Sequence, residues 1–197
     1  MNEVHQDTMT RCGWCESHPL YLRYHDEEWG VPLFDDRKLF EMLMLEGAQA
    51  GLSWLTILKK RENYRDAFDR FDPEKIAGYG PVEIERLMGD AGIIRNRRKI
   101  ESVIRNANGF LNIRDEYGSF SGFLWNIAGN APVQNAWASL PELPARTETS
   151  DRMSRELKRQ GFNFVGSTIC YAFMQAVGMV NDHLAGCFRY EEIRKMS

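Results

Sequence analysis

The sequence predicts an all-α protein, and three observations carry that expectation. Ile100, Val103, Ile104, Ala107 and Leu111 recur at i, i+3, i+4, i+7 and i+11, the spacing of a helix with one buried face. Proline and capping residues stand where helices start. No long alternation of apolar and polar residues points to a sheet. With 197 residues, 43% of them hydrophobic, the chain can close a core as a single globular domain over residues 1–197 without disulfides.

Taken in order, the stretch from Met1 to Arg11 is polar and has no signal-peptide hydrophobic region. No apolar run approaches the roughly 20 residues of a membrane span. A cytoplasmic protein that does not engage membranes is expected. Leu39 to Leu58 reads as two apolar helical segments broken by Gly47 and Gly51, with Ser53 placed to cap the second and Glu46 at the break. Asp72 and Pro73 form an N-cap and first-turn proline, and Pro81 opens a further helix. Asn130 to Thr149, with Pro132, Pro141 and Pro144, reads as a connection between helical parts. Ser150 precedes a helix that Gly161 ends. Arg155 to Gly161, Phe162 to Gly166 and Ser167 to Val177 then read as helix, tight turn and helix.

The net charge of -3 argues against a protein that coats polyanions indiscriminately, although a local basic face remains open. Positive residues gather at Lys59, Lys60 and Arg61, at Arg95 with Arg97, Arg98 and Lys99, and at Arg155 with Lys158 and Arg159. Each group is equally readable as a solvated helix face.

The four cysteines are Cys12, Cys15, Cys170 and Cys187. In a reducing compartment they suit metal ligation or burial better than a disulfide framework. His183 and Cys187 are spaced i, i+4, so one helical turn places imidazole and thiolate together as half of a tetrahedral zinc site. Cys12, Cys15, His18 and His25 are the candidates for the other half. Cys12 and Cys15 form a C-x2-C pair that also fits redox chemistry, but no βαβ pattern surrounds it. A metal here ties the first residues to the last, and four protein ligands leave no open position for a catalytic water.

Many of these residues lie in motifs that resemble the bacterial 3-methyladenine DNA glycosylase I proteins of the helix-hairpin-helix glycosylase superfamily. The resemblance runs through Arg11 to Trp14, Tyr24 to Asp26, Glu28 to Pro32, Leu39 to Met42, Leu45 to Gly47 and Ala50 to Trp54. It continues through Lys59 to Tyr64, Asp90 to Arg95, Gly161 and Phe162, Phe164 to Gly166, Thr168 to Tyr171 and Val180 to His183. The first ten residues, about Asp115 to Thr149, and the tail after Cys187 diverge.

The resemblance implies an all-α, two-lobed helix-hairpin-helix glycosylase fold with a zinc clip joining the N- and C-terminal regions. It implies one structural Zn2+ held by Cys12, His25, His183 and Cys187, leaving Cys15 and His18 as spectators, with Cys15 as the alternative ligand. The partner implied is double-stranded DNA containing alkylated adenine, bound by a monomer. Because an alkylated base is inaccessible in a duplex, the nucleotide must be turned out and held by stacking and edge hydrogen bonds. The resemblance makes Trp54 the stacking platform, Tyr24 and Glu46 the hydrogen-bonding groups, and Trp14, Tyr21 and Trp29 further lining. Leu52 is implied as the wedge that fills the duplex.

Gly166, Ser167 and Thr168, at the start of the second hairpin helix, are expected to meet a phosphate through backbone N–H groups. Bifunctional relatives carry a lysine just inside that helix, where this chain has Ser167, Thr168 and Ile169, so base removal without strand cleavage is implied. Glu46 is the candidate catalytic residue, assigned to selectivity first: a carboxylate attracts the cationic base before bond cleavage as well as during it, and such binding alone does not raise the rate. Asp182 is the nearest match to the superfamily's catalytic aspartate, but it adjoins His183 and is assigned no role. A non-catalytic sensor of alkylated DNA and a glycosylase of broader alkyl-purine range remain the alternatives.

Overall fold

A computed structural model describes residues 9–196, and most of the polar stretch from Met1 to Arg11 lies outside them. Ten α-helices occur among the described residues. In order they are α1 (Pro19–Glu27), α2 (Asp36–Gln49), α3 (Trp54–Ala67), α4 (Pro73–Ala77), α5 (Pro81–Gly89), α6 (Arg97–Tyr117), α7 (Phe120–Ala128), α8 (Glu148–Arg159), α9 (Ser167–Ala176) and α10 (Phe188–Arg194). The all-α expectation holds, with one addition. Strands β1 (Val133–Gln134) and β2 (Val180–Asn181) pair in parallel, and at two residues each they are too short to leave an alternating pattern. Their pairing fastens the proline-rich connection to the segment after α9.

The periodic stretch predicted as a helix is α6, started by the Asn96 side chain accepting from Lys99 N, with Ile100, Val103 and Ala107 buried. Asp72 caps α4 ahead of Pro73, and Pro81 opens α5, as the sequence indicates. At α8 the cap is Thr147 rather than Ser150. Thr147 Oγ1 accepts from Ser150 N while Ser150 Oγ accepts from Thr147 N, which makes Ser150 the inner half of a capping box.

The larger correction concerns residues 39–58. α2 runs unbroken through Gly47, so Glu46 lies inside its last turns and not at a break. Gly47 faces the turn after α8, where a Cβ at its position would stand in van der Waals contact, 3.4 Å from the Cβ of Phe164. The interruption falls at residues 50–53, where Gly51 takes φ +79° and Ser53 caps α3 by accepting from Thr56 N. α2 is buried along nearly its whole length and packs against α3, α6, α7 and α9. It is the post around which the other helices are set.

No helix among the described residues is long and apolar enough to cross a membrane.

Candidate active site and metal centre

α1 serves two sites from adjacent positions. Tyr21 and Tyr24 are one turn apart and face α2 and α3, while His25 turns toward the C-terminal segment. Pro19 opens the helix and the His18 Nδ1 accepts from Leu20 N, so His18 is a cap and lies outside the metal cluster. Tyr21 Oη in turn accepts from Leu55 N, tying α1 to the start of α3.

Trp14, Tyr21, Tyr24, Trp29, Glu46 and Trp54, the residues expected to hold a base, line one cavity of about 290 Å³. Trp14 packs edge-on against Tyr21 and Trp29, with ring centres 5.6 and 5.2 Å away, and Tyr24 and Trp54 are 5.5 Å apart. Two polar groups here have no partner. The Trp54 indole N–H is buried and bonded to nothing, and the Glu46 carboxyl, on a residue 6% exposed, receives no hydrogen bond among the described residues. Burial pushes the Glu46 carboxyl up to about 8. It also pushes the Tyr24 hydroxyl well above the ordinary phenol range, with the charge of Glu46 adding to the shift.

Gln49, Leu143, Ala172 and Gln175 complete the lining and were not anticipated from sequence. Ala172 and Gln175 are i, i+3 on α9, a pattern indistinguishable from ordinary helix packing. Leu143 comes from the proline-rich connection, whose path is fixed by the β1–β2 pairing and by the hydrogen bonds of Asn135 and Trp137 to Asp182.

A larger cleft of about 870 Å³ lies on the other side of Tyr24 and contains Glu28, Glu41, Arg61 and Arg65. Its charges satisfy one another: Arg61 reaches Glu28 at 2.6 Å and Glu41 at 3.0 Å, and Arg65 reaches Glu41 at 2.7 Å. The basic group at 59–61 is thus partly spent, since Lys60 also donates to the Ala91 and Gly92 carbonyls. The smaller cavity is the better candidate because its polar groups await a ligand.

Cys12, His25, His183 and Cys187 are all buried, and their ligand atoms lie within 4.8 Å of one another. Cys187 Sγ is 3.4 Å from His25 Nε2 and 3.6 Å from His183 Nδ1, and Cys12 Sγ is 3.8 Å from His183 Nδ1. A tetrahedron with metal–ligand bonds of about 2.0–2.3 Å has edges of about 3.3–3.8 Å, a range that these three separations meet, and the four side chains could hold a metal ion. The outer atoms are engaged as well. His25 Nδ1 meets Asp26 at 2.7 Å, Asp26 is gripped by Arg11, and His183 Nε2 meets the Trp29 carbonyl at 2.9 Å. Such partners fix ring orientation and tautomer at metal sites.

Cys15 is not among the four; its thiol donates to the Cys12 carbonyl. The His183–Cys187 pair is joined by a turn that ends as the N-cap of α10, and not by the helical turn that the spacing suggested.

Asp182 is 1% exposed and accepts four hydrogen bonds, from Asn135, Trp137, Tyr171 and Gln175 at 2.7–2.8 Å. Leu52 is 38% exposed at the tip of the turn between α2 and α3, whose ends are closed by Leu52 N donating to the Gln49 carbonyl and Gln49 Nε2 donating to the Leu52 carbonyl. Gly166 is the N-cap of α9, no side chain caps the helix there, and Ser167 and Thr168 form its first turn.

Comparison with known proteins adds the family. A family model described as methyladenine glycosylase matches residues 14–190. DNA-3-methyladenine glycosylase 1 of Escherichia coli (strain K12) is 53% identical over 92% of this chain and 97% of its own length. A crystal structure of 3-methyladenine DNA glycosylase I superposes with a TM-score of 0.89 at 52% identity, covering 91% of this chain and 98% of that one. A variant of such an enzyme in complex with 3-methyladenine superposes at 0.88 with 40% identity, covering 91% and 97%. Likeness that spans the α1–α3 cavity and reaches the C-terminal metal cluster leaves one assignment: the chain belongs to the methyladenine glycosylase family.

Proposed function

We propose that this chain is a monofunctional DNA glycosylase that hydrolyses the N-glycosidic bond of 3-methyladenine in alkylated DNA and leaves an abasic site. The observation that carries the reading is Glu46, a buried carboxyl with no protein partner in a cavity walled by tryptophan and tyrosine. The names of the similar proteins support the same substrate.

The aromatic walls suit a purine, since stacking on an aromatic side chain is worth about 1–3 kcal/mol per base. Trp54 is the platform, Tyr24 and Glu46 read the edge, and Trp14, Tyr21 and Trp29 close the sides. Burial alone leaves Glu46 mostly protonated at neutral pH. A base made cationic by methylation supplies the charge that favours the carboxylate, whereas neutral adenine does not. Selectivity arises from that difference. In the hydrolysis the bond from C1′ to the base nitrogen breaks and its electron pair neutralises the departing base. Water adds its oxygen to C1′ and yields a proton to solvent. No lysine lines the cavity among the described residues, which supports base removal without a Schiff base to the sugar.

Leu52 is the wedge that occupies the vacated stack, and the uncapped start of α9 at Gly166, Ser167 and Thr168 holds a phosphate of double-stranded DNA as the second helix of a helix-hairpin-helix. Cys12, His25, His183 and Cys187 hold one structural Zn2+, which when bound supplies no open coordination position and ties the two ends of the domain. The protein acts as a monomeric, single-domain enzyme of two helical lobes, and the continuous hydrophobic core among the described residues supports the single domain.

Incubation with methylated duplex DNA tests the proposal through release of free 3-methyladenine. Tight binding without release would leave only a sensor of alkylated DNA. Comparable release of 7-methylguanine would assign a broader alkyl-purine range.

A further inference from the structure

A second groove, of about 430 Å³, lies between α6 and the turn that joins α8 to α9, lined by Arg98, Glu101, Ser102, Arg105, Asn163 and Phe164. Three consecutive cations at the start of α6 meet different fates. Arg97 is neutralised by Glu85, with Glu101 at 3.8 Å on its other side. Lys99 turns inward and donates to the Ala48 and Ala50 carbonyls at 2.8 and 2.7 Å. Arg98 faces the groove, and neither it nor Arg105 has an acidic partner within ion-pair distance among the described residues.

The groove is held in fixed register with the candidate active site. Lys99 pins the start of α6 to the end of α2, so Arg98 is carried beside the turn that exposes Leu52. At the other end Asn106 grips the main chain of Asn163 in both directions, donating to its carbonyl at 3.0 Å and accepting from its N–H at 2.7 Å. With its carboxamide turned to satisfy its surroundings, Asn163 also accepts from Arg105 Nη1 at 3.0 Å and Nε at 3.2 Å. Phe164, held at φ +53°, packs on Gly47 next to Glu46. Arg98, Ser102 and Arg105 are spaced i, i+4 and i+7, so they form one stripe of the helix, about 10.5 Å long at 1.5 Å per residue.

We infer that this stripe is a phosphodiester-binding site, in which Arg98 and Arg105 carry the DNA backbone between the Leu52 turn and the start of α9. It rests on the reading of the chain as a DNA glycosylase. Among the described residues the one acid lining the groove, Glu101, is shared with Arg97, so the groove presents two guanidinium groups whose charge no carboxylate neutralises, although Arg105 also donates to Asn163. A protein of net charge -3 depends on such local placement to hold a polyanion.

The test measures binding of a duplex containing a tetrahydrofuran abasic-site analogue across a potassium chloride series. Alongside it, binding of free 3-methyladenine is followed by tryptophan fluorescence. The double variant R98Q/R105Q should bind the duplex at least about tenfold more weakly at about 0.1 M salt. Its slope of log affinity against log salt should be shallower by about 0.9–1.8. Its affinity for the free base should be unchanged, and R98K/R105K should recover most of the slope. An unchanged duplex affinity and slope in R98Q/R105Q would overturn the assignment, as would an equal loss for duplex and free base with the slope intact. Failure of the unmodified protein to release 3-methyladenine is a separate result that bears on the activity and not on this groove.

Discussion

His183 joins the two candidate sites: its Nδ1 faces Cys12 and Cys187, while its Nε2 sits 2.9 Å from the carbonyl oxygen of Trp29, whose ring is a wall of the aromatic cavity. The two rings also meet edge-on at 4.6 Å, over Gly30, where a Cβ would stand 3.1 Å from the imidazole. The cluster of cysteine and histidine side chains therefore braces the pocket from behind. Replacing Cys187 with Ser should abolish stoichiometric zinc and cost several kcal/mol, on the order of 10 °C in melting temperature. It should also weaken binding of free 3-methyladenine, because the Trp29 wall loses its backing. Metal analysis beside a melting curve decides the matter, and equal zinc content in both proteins would remove Cys187 from the ligand set.

Glu46 makes stability depend on pH with a definite sign. Burial raises its carboxyl from the ordinary 4.5 to about 8 in the folded protein. Between those values the folded chain holds a proton that the unfolded chain has released, so stability falls as pH rises through this window and levels off above it. Glu46→Gln cannot titrate. Its melting temperature should match that of the unmodified protein near about pH 4.5 and exceed it by on the order of 5 °C above about pH 8. The same variant should lose discrimination between 3-methyladenine and adenine, and retention of both turnover and discrimination would refute the role given to the carboxylate.

How much of this was legible in the sequence depended on distance along the chain. The periodicity of α6 and the caps at Asp72 and Ser53 are local, and they read correctly. Gly47 read as a break because sequence shows the missing side chain but not the packing of α2 on α3, α6, α7 and α9 that carries the helix through it. The i, i+4 spacing of His183 and Cys187 named the right pair through the wrong geometry, since a turn can close the same gap as a helix. Gln175 carries no local signal at all. Its place in the cavity follows from α9 packing on α2 and from its hydrogen bond to Asp182.

Substitution of Leu52 tests the proposed wedge apart from base reading. Leu52 lines neither the aromatic cavity nor the core, and its side chain stands exposed on a turn closed by Gln49. Leu52→Ala should leave affinity for free 3-methyladenine unaltered and slow excision from duplex DNA by about tenfold, the loss expected when about 1–2 kcal/mol of apolar wedge no longer fills the stack. A single-stranded methylated substrate should be far less affected. Equal slowing on both substrates would mean that Leu52 does not act as a wedge.

Asp182, the nearest candidate in the sequence for a catalytic aspartate, has its four acceptor positions taken by Asn135, Trp137, Tyr171 and Gln175. A carboxylate so occupied has no lone pair left for a water or a sugar cation, and its work is to join the proline-rich connection to α9. In Asp182→Asn an amide N–H2 replaces one acceptor oxygen and faces two donors, and each buried donor left unpaired costs about 1–3 kcal/mol. The variant should therefore melt at a markedly lower temperature. Below that temperature its excision rate per folded molecule should stay within a few-fold of the unmodified protein. A rate that drops by orders of magnitude while the melting curve holds would instead make Asp182 the catalyst.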